Sequence, residues 1–389
     1  MKNIIIFLLL FVEIINAQSL RNQHEIPIIP QGFNFTLLSG YGNSGLLSDA
    51  ANIGAINPAA LEIFSKISFG VSYQLETKLK ESWIADIGSE RINKSIPQSF
   101  GLILPFKNIK LGFAVNQIYN RALLFGLIPV TTIENPDGTG EFMEVENKNI
   151  IHNYSIIASY TSTELLPSSI LSLGIRISLN NLNNYERIWH SEHDASIYSN
   201  SFSIGGSYTL NTSNNGFIKL GLMFESGYTF SEFYDYKNDY LVIHDTIAAP
   251  NSLPAILPTG SQLVLKMPPT LRFDYDINAF NRIRLLGSIS NIFWGSISNN
   301  NLNEIELSGN IIFDYNMFIV PSIGFVFKDR NYAEDFFGLN ENLNAFFLTV
   351  SWIMKISKIK IHLALADAHL LSGEWRKQTI FKGSINYSF

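Results

Sequence analysis

The stretch "LSLGIRISLN", residues 171–180, alternates strictly between apolar and polar side chains. One face holds five aliphatic residues, namely Leu171, Leu173, Ile175, Ile177 and Leu179. The opposite face holds Ser172, Gly174, Arg176, Ser178 and Asn180. A period of two predicts a β-strand, and about ten residues are enough for a tilted strand to cross a bilayer. We therefore expect this strand to face lipid on one side and a polar interior on the other.

The same alternation recurs along the chain in hairpins whose links differ in length. Tight links are predicted between residues 106 and 111 and near Ile356 and Ser357. Long polar links are predicted at 80–96, 122–148, 187–196, 235–266 and 328–344. Short turns at one end and long loops at the other are typical of outer-membrane barrels. The pattern predicts an all-β fold, a transmembrane antiparallel barrel of about fourteen strands.

The composition supports an apolar exterior without spanning helices. Charged residues make up 15% of the chain and hydrophobic residues 46%, whereas soluble domains contain about a quarter charged residues. Beyond the N-terminus no uninterrupted apolar run approaches the ~18 residues of a spanning helix. A membrane protein without such helices must close its strands into a barrel, because open edges are not satisfied in lipid. The net charge of −6 and the lack of a basic tract argue against a nucleic-acid partner.

Both ends of the sequence indicate export to an outer membrane. Residues 1–17 combine Lys2, an apolar run and Ala17, as in a secretory signal peptide. The chain contains no cysteine, which suits an exported protein that uses no disulfides. The last strand alternates and ends on Phe389, which resembles the assembly signal of outer-membrane barrels. We expect residues 66–389 to form the barrel in the outer membrane of a Gram-negative bacterium, in contact with its lipids.

The stretch "GNSGLLSDAANIGAINPAAL", residues 42–61, precedes the first strand and is rich in small residues. Ser48 or Asp49 is suited to cap a short helix, and Asn57-Pro58 is a turn or helix-start signal. Fourteen strands enclose a lumen too wide for wall side chains to fill. We therefore predict that residues 18–65 form a plug, or hatch, inside the barrel. The alternative is a disordered periplasmic leader.

The same stretch resembles the N-terminal signature of the FadL/TodX outer-membrane transporters. The matching residues are Gly42, Asn43, Gly45, Asp49, Ala50, Asn57, Pro58, Ala59 and Leu61, with Ala60 where that family usually has glycine. Residues 266–295 resemble the late hairpin of the family. The resemblance implies a fourteen-stranded barrel with a hatch and passive uptake of hydrophobic compounds such as long-chain fatty acids. PorV-like barrels of the type IX secretion system share the signature, so a secretion accessory bound to a secretion-system protein is the alternative function.

Three cations are candidate ligand-binding residues for a carboxylate head group. Alternation places Arg176, Lys360 and Lys382 on the lumen side of their strands. The alternative for each of them is that it lines the lumen and pairs with the hatch or with a neighbouring carboxylate. Release sideways through a break in the third strand, residues 111–125, is implied by the family resemblance alone. We predict no enzymatic activity and no cofactor. We also predict no metal, because His190 and His193 lie in an expected outer loop without a metal-binding helix.

Overall fold

The three-dimensional structure is a computed structural model. It describes residue 46 and residues 49–389, except 79–80, 85–87, 91–92, 130–141, 163–168, 189–190, 213–215, 234–261, 281, 297–302, 314–317, 330–344 and 372–377. The predicted signal peptide and most of the predicted hatch, including Gly42, Asn43 and Gly45, lie outside the described residues. The boundaries 1–17, 18–65 and 66–389 therefore stay predictions.

Eighteen strands and three short 3-10 helices make up the described chain. The helices span Ala50–Asn52, Pro58–Ile63 and Trp294–Ser296. The strands are β1 Ser68–Lys78, β2 Glu81–Ile84, β3 Gly88–Glu90, β4 Asn93–Phe106, β5 Ile109–Pro129, β6 Phe142–Ser162, β7 Ser169–Ile188, β8 Ser191–Asn211, β9 Phe217–Glu225, β10 Tyr228–Phe233, β11 Gln262–Met267, β12 Thr270–Phe280, β13 Ile283–Ile292, β14 Glu304–Phe313, β15 Ile319–Asp329, β16 Ala345–Ile356, β17 Ile359–Asp367 and β18 Gln378–Ser388. None of the described helices is long and apolar enough to cross a membrane.

Fourteen of these strands close into one antiparallel barrel. The barrel runs from β1 through β4 to β9 and then from β12 to β18, and β18 pairs with β1 to complete it. Strands β2 and β3 extend the sheet beside β5, while β10 and β11 form a separate two-stranded ribbon. The predicted fold class and strand number are confirmed. Closure leaves the barrel without the unpaired edges that lipid would penalise.

The two faces of the wall differ as the alternation predicted. On β7 the outward side chain of Ile177 is 60% exposed, whereas its inward neighbour Arg176 is 2% exposed. Outward positions on the other barrel strands are likewise largely aliphatic or aromatic. Inward positions are mostly serine, asparagine and charged residues. An apolar outer band around a polar interior fits the outer membrane of a Gram-negative bacterium.

Several predicted loop boundaries are wrong because strands extend beyond the apolar band. Strand β5 continues to Pro129 and β6 begins at Phe142, inside the predicted loop 122–148. Strands β7 and β8 occupy much of the predicted loop 187–196. Outside the bilayer the outward face need not be apolar, so the alternation disappears although the strand continues. The predicted loop 80–96 likewise contains β2, β3 and the start of β4.

The wall has an irregular seam between β4 and β5. Their pairing runs from Phe106 and Ile109 up to Ser99 and Asn116, and no described residue of β4 pairs with β5 beyond that point. Just above, the pairing of β5 with β6 shifts register between Gln117 and Tyr119. Strand β3 then pairs with β5 from Leu123. The third barrel strand therefore has a β-bulge that its sequence did not indicate.

Candidate functional site

The described hatch, residues 46 and 49–65, is packed inside the barrel. The Ala50–Asn52 helix is capped by Asp49, whose carboxylate accepts a hydrogen bond of 3.0 Å from the backbone N–H of Ala51. The Asn52 amide donates to the other oxygen of Asp49 at 2.8 Å. Asp49 is fully buried, so the predicted capping function is confirmed at a position inside the lumen.

Asn57 caps the second hatch helix and also attaches it to the wall. Its side-chain oxygen accepts a hydrogen bond of 3.0 Å from Ala59, and Pro58 occupies the first turn. Its amide nitrogen lies 3.2 Å from the carbonyl oxygen of Gly206 and 3.1 Å from that of Leu222. The position therefore needs a side chain with an acceptor and two donors, which accounts for the asparagine before Pro58 and Ala59.

The first helix of the hatch is fixed to β17 and β18. Lys382 donates a hydrogen bond of 2.9 Å to Asn52, and Ser384 donates one of 3.1 Å to Asp49. The imidazole of His362 lies 3.5 Å from the Asp49 carboxylate. These polar groups surround the buried carboxylate, and their contacts offset the cost of removing it from water.

The opposite side of the hatch is fixed to β7, β8, β9 and β12. Arg176 donates to the carbonyl of Ile56 at 2.9 Å, to Ser203 at 2.8 Å and to Glu225 at 2.9 Å. Arg272 donates to the carbonyl of Ala55 at 3.3 Å. The hatch therefore spans the lumen and is held by polar contacts on both sides.

The Pro58–Ile63 helix has a further charged attachment at Glu62. Its carboxylate pairs with Lys219 at 2.7 Å and accepts hydrogen bonds from Ser172 and from Ser207, the latter at 3.3 Å. Both side chains of the ion pair are buried. A buried pair of this kind costs desolvation, and the two serine hydroxyls satisfy the remaining acceptor capacity of the carboxylate.

Glycines in the wall allow the hatch backbone to approach closely. A Cβ atom at Gly174 would lie 2.4 Å from the carbonyl carbon of Pro58, and one at Gly101 would lie 1.9 Å from the carbonyl oxygen of Ala50. Both distances are shorter than any van der Waals contact. The alternation places these glycines on the lumen face, but only the structure shows that the hatch packs against them.

The three predicted ligand-binding cations do not lie together. Arg176 and Lys382 contact opposite sides of the hatch. Pairing with the hatch was the alternative to ligand binding for these residues. Lys360 lies at the short-turn end of the barrel, beside a cavity that the last residues of the hatch help to line. Ligand binding by these residues stays a prediction. His190 and the side chain of His193 lie outside what the structure describes.

Two apolar clusters face the lumen in the half of the barrel with the long loops. The outer apolar cluster joins the β5–β8 wall to the β10–β11 ribbon and comprises Tyr119, Ile151, Leu182, Ala195, Ile197, Phe230 and Leu265. The facing apolar cluster lies on and beside β15–β18 and comprises Val326, Phe347, Ala366, Ala368 and Ile380. Burial raises the pKa of Tyr228, which packs against the outer apolar cluster, so its hydroxyl stays neutral.

A charged group borders the outer apolar cluster. Trp294 packs against that cluster and donates a hydrogen bond of 3.1 Å from its indole to Glu304. Lys328 lies 3.8 Å from Glu304 and 2.6 Å from Glu306. The lumen above the hatch is therefore apolar at the two clusters and charged at Glu304, Glu306 and Lys328. The charged group adjoins the facing apolar cluster on β15.

Several residues of this arrangement were missed by sequence reasoning. Alternation alone places Lys219, Arg272 and Lys328 on the lumen face, so their orientation could have been predicted. Their partners could not, because Glu62 lies in the hatch and its contacts depend on how the hatch crosses the barrel. Trp294 is a further such residue, because its indole donates to a lumen carboxylate and alternation gives no sign of that contact.

A closed barrel with an N-terminal segment held across its lumen defines the class of plugged outer-membrane barrels. Its fold matches that of solved transporters of the FadL/TodX type. The Ralstonia pickettii toluene transporter TbuX aligns with a TM-score of 0.57 at 10% identity, over 92% of this chain and 98% of that one. A Pseudomonas aeruginosa FadL homologue aligns with a TM-score of 0.55 at 11% identity, over 92% and 100%.

The Pseudomonas putida toluene transporter TodX gives a TM-score of 0.54 at 12% identity, over 91% of this chain and 96% of that one. No protein-family model matches the sequence. No curated protein matches it either. At this level of identity the comparisons establish the fold, and the resemblance noted in the hatch sequence is confirmed at the level of fold.

Proposed function

We propose that the protein is an outer-membrane channel for passive uptake of hydrophobic compounds. The observation that supports it best is the pair of apolar clusters that face the lumen above the hatch. Their side chains are buried against one another, so a ligand would have to displace these contacts, and it would gain about 0.8 kcal/mol for each of its own methylenes removed from water. The solved structures of similar fold include toluene transporters and a monoaromatic hydrocarbon channel, which supports the same class of substrate.

The proposed substrate class includes long-chain fatty acids as well as neutral hydrocarbons. At the level of the hatch, the lumen cations Arg176, Lys219 and Lys382 are bound to other groups of the protein. A neutral compound needs no cation and is the simpler substrate for that part of the lumen. Uptake of radiolabelled toluene and of a radiolabelled long-chain fatty acid by cells that express the protein separates these possibilities.

Substitutions in the two clusters test the proposal. Leu182→Asn and Phe347→Asn place an amide inside the buried apolar clusters, and we expect each to lower toluene uptake several-fold. Ser290→Asn adds the same amide to a lumen position that is already polar, and it serves as the matched control. Heat-modifiable migration of each variant verifies that the barrel is assembled. Toluene uptake that is the same with and without expression of the protein would refute the channel.

Release sideways into the membrane is the exit route that we propose. The support is the seam between β4 and β5, where pairing stops at Ser99 and Asn116 below the bulge of β5. Because the chain has no cysteine, Gln98→Cys with Gln117→Cys would introduce one defined cross-link. Oxidation of that pair should lower uptake and reduction should restore it. Ser288→Cys with Ser308→Cys bridges a regular pair of strands and should leave uptake unchanged.

A non-transport barrel that assists a secretion system is the second candidate. It is favoured by the packing of the hatch, whose residues Asp49, Asn57 and Leu61 are fully buried and whose apolar side chains join aliphatic residues of the wall in one cluster. Such a lumen suits a scaffold as well as a channel. Stoichiometric co-purification with a large secretion channel, together with no hydrophobic uptake, would favour this candidate over the first.

A further inference from the structure

A cavity of about 140 Å³ lies at the short-turn mouth of the barrel. Its walls are the end of the hatch and the lumen faces of β1, β17 and β18. Ile63 and Phe64 supply apolar surface, and Lys66 and Lys360 supply the charge. The remaining lining residues are Ala50, Ser65, Ser68, Asn386 and Ser388. By the usual orientation of outer-membrane barrels, this mouth opens to the periplasm.

The charge at this mouth is positive and has no acidic counterpart in the cavity wall. Within the described chain, the ammonium groups of Lys66 and Lys360 take part in no ion pair and no hydrogen bond. Lys355 is the register partner of Lys360 on β16, so the two side chains share the lumen face. Like charges at directly opposite positions repel one another. The Asp49 carboxylate, in the adjoining part of the hatch, already accepts hydrogen bonds from Ala51, Asn52 and Ser384.

We propose that this cavity binds a small carboxylate with an apolar body. The two ammonium groups would donate charge-assisted hydrogen bonds to the carboxylate, and the Ser68 and Ser388 hydroxyls lie beside it. Ile63 and Phe64 would contact the apolar body. The volume corresponds to about five water molecules, which suits an aryl carboxylate and excludes most of a long alkyl chain. The binding does not rest on the proposed function, because the sideways exit between β4 and β5 does not pass through this cavity.

Benzoate is the probe for this site. Binding of benzoate to the full-length protein in nonionic detergent is measured by calorimetry, beside benzyl alcohol as the neutral analogue. The variant Lys66→Gln/Lys360→Gln removes both charges and leaves polar side chains that are one atom shorter. Lys107→Gln, at the turn between β4 and β5, is the control because Lys107 is exposed and does not line the cavity.

We expect the double variant to raise the Kd of benzoate about tenfold, and Lys107→Gln to leave it unchanged. Added salt should weaken benzoate binding and should not affect benzyl alcohol. Equal benzoate affinity in the wild type and the double variant would overturn the site, as would an equal loss in the control. Toluene uptake that fails while benzoate still binds would refute the proposed channel alone, and the reverse result would refute this site alone.

Discussion

Arg176 on β7 donates a hydrogen bond of 2.9 Å to the backbone carbonyl of Ile56 in the hatch. The two residues are separated by 120 positions in sequence. The same guanidinium pairs with Glu225 on β9, so one side chain joins the hatch to two strands of the wall. The hatch is thus attached to the barrel wall and held at a defined height in the lumen.

Replacing Arg176 with methionine should loosen the hatch. The change leaves the Ile56 carbonyl and the Glu225 carboxylate without this donor. We expect a loss of about 2–3 kcal/mol in the free energy of unfolding, below the value for a fully buried pair because the Glu225 side chain is 32% exposed. Single-channel conductance in planar bilayers should rise, and denaturant unfolding measures the stability.

The double variant Arg176→Met/Glu225→Gln separates the two effects of that change. It removes the unpaired carboxylate, so part of the lost stability should return while the conductance stays raised. Deletion of residues 18–65 gives the upper limit of conductance for an unplugged barrel. If that deletion leaves conductance unchanged, the hatch does not block the lumen.

Gly174→Ala should displace the second hatch helix. The added Cβ would lie 2.4 Å from the Pro58 carbonyl carbon and 2.5 Å from the Ala59 nitrogen, so backbone must move. Gly206→Ala on β8 is the matched control, because its Cβ would meet Leu173 at an ordinary 3.6 Å. We expect lower thermal stability and higher permeability to small polar solutes for Gly174→Ala only. Liposome swelling measures the permeability, and equal results for both variants would contradict the packing described.

Asn57 variants distinguish capping from attachment to the wall. Asn57→Asp keeps an acceptor for the Ala59 N–H but loses the donors to the Gly206 and Leu222 carbonyls. Asn57→Ala loses both, which adds about 1 kcal/mol for the lost cap. Because Asn57 is fully buried, the aspartate also places an unpaired charge against those two carbonyls, so we expect stability to fall in the order wild type, alanine, aspartate. Aspartate variants as stable as the wild type would show that the wall contacts contribute nothing.

The amount of structure predictable from sequence depended on what each face of the chain contacts. Lipid imposes apolar outward residues, so strands such as β7 were visible from alternation alone, and closure without edges then fixed a barrel. The upper parts of β5–β8 do not face lipid, and their sequences resemble loops. The break after Glu225, where β10 leaves the barrel for the ribbon, was also missed, because Ser226 and Gly227 interrupt the strand without changing its apolar composition.

The candidate site was predictable in orientation but not in pairing. Alternation placed Arg176 and Lys382 on the lumen side, and the structure has them there. Which group each cation contacts depends on the path of the hatch, and short helices with small residues give no periodic signal for that path. The capping functions of Asp49 and Asn57 were predictable because each depends on a local contact. In both cases the side-chain acceptor and the backbone N–H donor lie two residues apart.

Removal of Phe389 should impair barrel closure. Its ring lies 5.0 Å from that of Tyr387 and 6.3 Å from that of Phe69, and its backbone N–H donates to the Ile67 carbonyl at 3.0 Å. These contacts join β18 to the residues at the start of β1, where the barrel closes. We expect the deletion to reduce the heat-modifiable protein in the outer membrane several-fold. Phe381→Ala removes an outward aromatic farther along the same pair of strands, opposite Leu75, and should reduce it much less. Equal amounts of assembled protein after the Phe389 deletion and in the wild type would show that these contacts are dispensable for closure.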